Sequence, residues 1–230
     1  YPLFEIIVID DGSEDETAQR MIDYFQMQKI ERPIRRQLRC KAEKAIYETK
    51  SNKIQLTLIL KENGGKGDTL NMGINASRFP YFICMDADSM LQKDSLFEIA
   101  KPVLENDKIV ACGGQVRISN GIEMVDGEVT KYSLPKQMIV AMQVLEYDRS
   151  FLASRIFMDH FNGNLIISGA FGLFQKKMVI LAGGYDPSTM GEDMELVVKL
   201  HVFCRANHLD YSIRYAPDAI CWSQGPGNLL

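Results

Sequence analysis

The chain has 230 residues, 46% of them hydrophobic and 24% charged, with a formal net charge of -4. That is the composition of a single globular domain with a substantial core, and it lacks the global basic field of a nucleic-acid binder. Five scattered cysteines (Cys40, Cys84, Cys112, Cys204, Cys221) contain no Cys-x-x-Cys pair, which points to reduced thiols in a cytosolic compartment and away from a zinc site.

No signal peptide is visible, and no apolar run reaches membrane-spanning length. The chain opens on Tyr1 and turns to strand-like sequence almost at once, so it reads as a piece of a longer protein. Residues 4–9 are a β-rich run ending at Asp10-Asp11-Gly12-Ser13. Ser13 and Glu16 have capping-box spacing, which predicts a helix from about residue 14 into 21–28. Asp10 and Asp11 then lie in a strand-to-helix turn beside the free N–H groups of a helix N-terminus. Residues 30–53 carry Arg32, Arg35, Arg36, Arg39, Lys41 and Lys44 and are expected to be irregular and solvated, with contact to lipid headgroups as the alternative. Residues 54–60 form the next strand and run into Lys61-Glu-Asn-Gly-Gly-Lys-Gly67. The order of residues is not that of a Walker A loop. Such a turn is ordinarily a flexible surface feature, but before a helix over 68–77 it can bring backbone and Lys66 close to a phosphate.

Residues 82–85 read as a short buried strand that leads directly into Asp86-Ala-Asp88. In an open α/β sheet, ligands gather outside the carboxyl ends of strands. Two carboxylates one residue apart at such an end can share one Mg2+ or Mn2+, with substrate phosphates completing the coordination. Alone, the pair is equally a solvated turn. A helix over 94–105 and a strand over 109–114, extended through 119, continue an alternation that implies a mostly parallel sheet. Residues 136–158 have the longest helical pattern, expected to be a buried amphipathic helix, or alternatively an interfacial one against a membrane. Residues 165–172 are expected to be an apolar strand in which Gly169 and Gly172 allow close approach of a ligand or backbone. Gly183-Gly-Tyr-Asp186 is a turn, and Gly191-Glu192-Asp193 starts a helix whose dipole favours the anionic carboxylates. Residues 210–215 form a last strand, and 221–226 a rigid loop. His160, His201 and His208 lack metal-ligand spacing.

In their order, Asp10-Asp-Gly-Ser13, Asn63-Gly-Gly-Lys-Gly67 with Leu70-Asn71-x-Gly73, Asp86-Ala-Asp-Ser89, Ser168-Gly-Ala-Phe-Gly172, Gly183-Gly-Tyr-Asp186 and Gly191-Glu-Asp193 resemble glycosyltransferase family 2. The resemblance runs from residue 4 to about 222 and is strongest to the membrane-bound branch of cellulose, chitin and poly-N-acetylglucosamine synthases. It implies an α/β GT-A fold, with a mostly parallel central sheet flanked by helices and without its usual first strand, as one catalytic domain over 1–230. It also implies a UDP-sugar donor, a saccharide or lipid-linked acceptor, Mg2+ or Mn2+, inversion at the anomeric carbon, and a role in polysaccharide synthesis. Motif by motif, Asp10 and Asp11 would contact the nucleotide, and Lys66 the base or pyrophosphate. Asp86 would lie near the ribose or uridine and join Asp88 on the metal. Ser168, Gly169 and Glu192 would line the nucleotide-sugar site, and Asp193 would be the general base. The parent would be membrane-anchored through other segments, with this domain on the cytoplasmic face.

Three features depart from the family pattern. A Pro-x-x-Asn-Glu turn and a Gln-x-x-Arg-Trp segment are both missing, and Trp222-Ser-Gln-Gly-Pro226 stands where Trp-Thr-Glu-x-Pro is usual. Two other readings compete: a haloacid-dehalogenase-type phosphohydrolase, which also uses strand-Asp-x-Asp, and a nucleotide-sugar-binding module without catalysis.

Overall fold

The structure is a computed structural model that describes residues 4–49 and 54–225. Strand β1 (Glu5–Asp10) is followed by α1 (Thr17–Tyr24), β2 (Gln28–Ile30), β3 (Glu43–Glu48) and β4 (Gln55–Lys61). These strands form one sheet in the order β1-β4-β3-β2. Helix α2 (Lys66–Ala76) follows. The period-2 alternation of β4 explains how both faces are filled. Leu56 and Leu58 pack with Met27 and with Met21 and Ile22 of α1. Ile59 faces the other way, onto Met72 and Ala76 of α2. Lys61 falls on that second face and is fully buried.

The chain continues through β5 (Tyr81–Cys84), β6 (Met90–Leu91), α3 (Ser95–Glu105), β7 (Ile109–Ile118) and the hairpin β8 (Ile122–Val125)–β9 (Glu128–Tyr132). Helix α4 (Met138–Asp148) passes through a π-helical turn, Arg149–Ser154, into α5 (Arg155–Asp159). Then come β10 (Gly172–Gln175), α6 (Lys176–Leu181), α7 (Glu192–Ala206) and β11 (Ser212–Ser223). The second sheet has the order β5-β10-β7-β11-β6. One core packs Val110, Phe174 and Ile213 of this sheet against Met178, Val179, Leu196 and Leu200. A second holds Ile99, Val103, Cys112, Val116, Phe151, Phe171 and Tyr215.

The α/β class is as expected, but the mostly parallel sheet is not. Among the described residues only β1–β4 and β7–β11 pair in parallel. Strand β10 returns between β5 and β7 antiparallel to both, and β3 reverses directly beside β4. Of the stretch expected to be irregular, residues 50–53 lie outside the described residues, and residues 30–49 are more regular than their charge suggests. They supply β3, and Arg32 is paired with Glu48 at 3.1 Å and Arg36 with Glu43.

The capping box at Ser13 and Glu16 does not form. Asp10 Oδ1 accepts the Gly12 and Ser13 N–H groups and closes the turn early. The helix therefore starts at Thr17, whose N–H donates to Asp15 at 2.9 Å. The expected strand over 165–172 is instead a turn, closed by the Phe171 N–H donating to the Ser168 carbonyl at 3.1 Å. Strand pairing begins only at Gly172, opposite Cys84 and Gly113. Cys221 and Trp222 belong to β11 rather than to a loop, and Pro226 lies outside the described residues. All five cysteines are free. No helix among the described residues is long and apolar enough to cross a membrane.

Candidate active site

The motifs meet where β1, β4 and β5 end and where α2 and α7 begin. On one side, Asp11 uses both carboxylate oxygens inside the chain. Oδ1 accepts the Gly64 N–H at 3.0 Å and pairs with the Lys61 ammonium, and Oδ2 accepts the Gly65 N–H at 2.7 Å. Lys61 also reaches Asp68 at 2.6 Å and donates to the Glu62 carbonyl at 2.7 Å. Burial opposes these charges, but the Lys61 ammonium and the two N–H groups prevail and hold Asp11 below its ordinary pKa. By the same balance the Lys61 pKa is raised. The chain passes so close here that a Cβ on Gly64 would lie 2.5 Å from Asp68 Oδ1. The glycine turn is thus held in shape by a buried charge cluster, and Asp11 acts as its anchor.

Lys66 opens α2 and joins the two walls of the cleft. Its ammonium is 3.0 Å from Asp86 Oδ1 and 3.7 Å from Glu192 Oε1. Burial works against its charge, yet Asp86, Asp193 and Glu192 together raise its pKa. Asp86 is half-buried at the end of β5, and Asp88 is exposed beside it. Among the described residues no group of three His, Cys, Asp or Glu side chains is arranged to hold a metal by itself. The donor set fits Mg2+ or Mn2+, which commonly bind through one or two carboxylates and complete their shell with water and substrate phosphates.

Asp193 lies in the first turn of α7. Its Oδ2 accepts the Gly169 N–H at 2.7 Å, while Oδ1 is buried with no hydrogen-bond partner. Only glycine fits at 169, because a Cβ there would be 2.5 Å from Asp193 Oδ1. The helix dipole was expected to favour the anion, but burial outweighs it. The Asp193 pKa is raised, with Gly169 and Lys66 opposing and Glu192 and Asp86 adding to the rise. Ser168 is half-buried in the preceding turn, its Oγ accepting the Ala170 N–H at 3.4 Å. Asp10 keeps one buried oxygen, Oδ2, without a partner.

The structure therefore brings Lys66, Asp86, Glu192, Asp193 and Gly169 together and leaves Asp88 exposed two residues beyond Asp86. Sequence reasoning missed Lys61 and Asp68. The signal was present: a lysine at the end of an apolar strand, on the same alternating face as Ile59.

Comparison with known proteins bears directly on this arrangement. Residues 1–151 match the model of glycosyl transferase family 2, and residues 81–230 match that of glycosyl transferase family group 2. The chain belongs to glycosyl transferase family 2. It is 29% identical over 226 residues to a poly-beta-1,6-N-acetyl-D-glucosamine synthase of Staphylococcus epidermidis, covering 98% of this chain and 44% of that protein. It is 28% identical over 229 residues to the enzyme of the same name from Staphylococcus aureus strain COL, covering 100% of this chain and 45% of that protein. The chain thus spans about half the length of these relatives. A solved structure, the mannosyltransferase PcManGT from Pyrobaculum calidifontis in complex with GDP-Man and Mn2+, superposes with a TM-score of 0.62 at 15% identity, over 96% of this chain and 48% of that one. The fold is GT-A. Family membership removes the phosphohydrolase reading of Asp86-Ala-Asp88.

Proposed function

We propose that residues 1–230 form one catalytic domain that moves a sugar from a UDP-sugar to a saccharide or lipid-linked acceptor, with inversion, in polysaccharide synthesis. The observation that carries this reading is the Lys66 bridge between Asp86 and Glu192. It brings the strand-end carboxylates and the first turn of α7 to one cleft. Family membership and the named staphylococcal relatives support the reaction class.

In this reading Asp86 and Asp88 hold Mg2+ or Mn2+, which when bound offsets the charge growing on the leaving diphosphate. Lys66 gives up its contact with Asp86 for a phosphate oxygen as the donor enters. Asp11 shapes the glycine turn, and Asp10 offers its free oxygen to the nucleotide. Ser168, Gly169 and Glu192 line the sugar. Asp193 accepts the proton of the attacking acceptor hydroxyl at Oδ1, while the Gly169 N–H fixes Oδ2 and hence the direction of the free oxygen. A raised pKa makes it a stronger base than an ordinary aspartate. Attack from the side opposite the leaving group inverts the anomeric centre. The longer parent is membrane-anchored, with this domain on its cytoplasmic face.

The test is release of UDP from UDP-N-acetylglucosamine in the presence of an oligosaccharide acceptor. Release should require Mn2+ or Mg2+, and Asp88→Asn should lower it by at least roughly tenfold. Release that persists undiminished in a chelator would contradict the reading.

A further inference from the structure

A second set of polar groups, whose Arg155 is near enough to Asp193 to feel its charge, has no place in the donor side of the cleft. Arg155, on α5, is 9% exposed, and its Nε and Nη1 have no hydrogen-bond partner among the described residues. The guanidinium lies 3.8 Å over the Phe151 ring, whose centroid is 6.5 Å from that of Tyr215. Tyr215 is buried with its hydroxyl unpartnered. Burial lowers the Arg155 pKa, and the neighbours that oppose it include Tyr215 and Asp193. On the adjoining strand Gln115 is fully buried. Its Oε1 accepts from Arg117 at 3.2 Å, and its Nε2 is left without a partner. The parallel register of β7 and β11 sets Tyr215 opposite Gly113, two residues before Gln115.

An unpartnered buried guanidinium is costly, and removing water from an amide or phenol without replacing its hydrogen bonds costs further. Several such groups around one place imply a ligand that satisfies them. Its chemistry follows from the mixture. Arg155 and Gln115 donate, Asp193 Oδ1 accepts, and the Tyr215 hydroxyl does either. A phosphate would be repelled by the Asp193 carboxylate. A neutral ring carrying several hydroxyl groups uses both kinds of partner.

We propose that Arg155, Gln115 and Tyr215 form the subsite that holds the terminal ring of the saccharide acceptor, with its attacking hydroxyl at Asp193 Oδ1. This extends the proposed function and rests on it.

The experiment titrates the full chain by calorimetry with a β-1,6-linked N-acetylglucosamine tetrasaccharide and, separately, with UDP plus Mn2+. Tyr215→Phe removes a single hydroxyl, and Arg155→Lys keeps the charge while losing the planar fork. Each should raise the tetrasaccharide Kd by about tenfold or more and leave the UDP Kd unchanged. A thermal melt checks folding, and Gln115→Leu replaces Arg155→Lys if that variant does not fold. Unchanged tetrasaccharide binding in these variants, or equal loss of both ligands, would overturn the subsite. So would a wild-type chain that takes UDP with Mn2+ and ignores the tetrasaccharide. A chain that takes the tetrasaccharide but not UDP would instead overturn the donor reading and leave the subsite standing.

Discussion

Around Lys61, in the N-terminal sheet, the buried ammonium is met by Asp11, Asp68 and a backbone carbonyl, and the remaining Asp11 oxygen is met by the Gly65 N–H. From Asp193 at the start of α7 to Arg155, Tyr215 and Gln115 the reverse holds: one carboxylate oxygen, two Arg155 nitrogens, a phenol and an amide are buried and unpartnered. The first cluster fixes the shape of a glycine turn before any ligand arrives. The second keeps hydrogen-bonding capacity that the chain itself does not use. In the proposed reaction the first cluster would shape the loop that cradles the donor, and the acceptor would complete the second.

The largest effect expected from breaking this contrast is at Asp193. In the proposed reaction Asp193→Asn should reduce transfer by roughly 10²–10⁴-fold, the usual worth of a positioned general base. Its thermal melt at neutral pH should not fall. A carboxyl whose folded-state pKa is raised favours folding when protonated and loses that contribution as pH rises, so removing the charge relieves a penalty. Retained transfer, or a clear loss of stability, would contradict the assignment. Next is Lys61→Met, which leaves Asp11 and Asp68 facing each other without their cation. Urea denaturation should show a loss of about 3–5 kcal/mol, the typical consequence of breaking a buried pair on one side. A loss within experimental error would mean that the turn does not depend on the cluster. The smallest expected effect is in the pH profile. Transfer should fall on the acid side at a pH above the ordinary aspartate range, because Asp193 must be ionised to act and its pKa is raised. Lys66→Met should move that limb higher still, since Lys66 favours the anion.

Much of this contrast was legible in the sequence, for local reasons. A short apolar run before Asp86, a Gly-Glu-Asp before a periodic helix and a glycine turn after a strand each place a carboxylate or amide at an element end. What the sequence withheld depends on contacts between distant segments. Strand β10 is inserted antiparallel between β5 and β7, and nothing in residues 172–175 specifies its neighbours. Lys61 looked like an exposed loop residue because its partners Asp11 and Asp68 are distant or on the next helix. Arg155 was not singled out within the helical pattern over 136–158, and its unpartnered nitrogens show only once α5 is seen packed on β11. The hairpin β8–β9 was readable and was missed: Asp126-Gly127, both at positive φ, is a strong two-residue turn signal.

The most direct test of a donor site completed by metal and substrate is a calorimetric titration of this chain with UDP, with and without Mn2+. Binding in the presence of Mn2+ that weakens by at least roughly tenfold when the metal is chelated is the predicted result. Equal affinity in both conditions, or no binding in either, would contradict it.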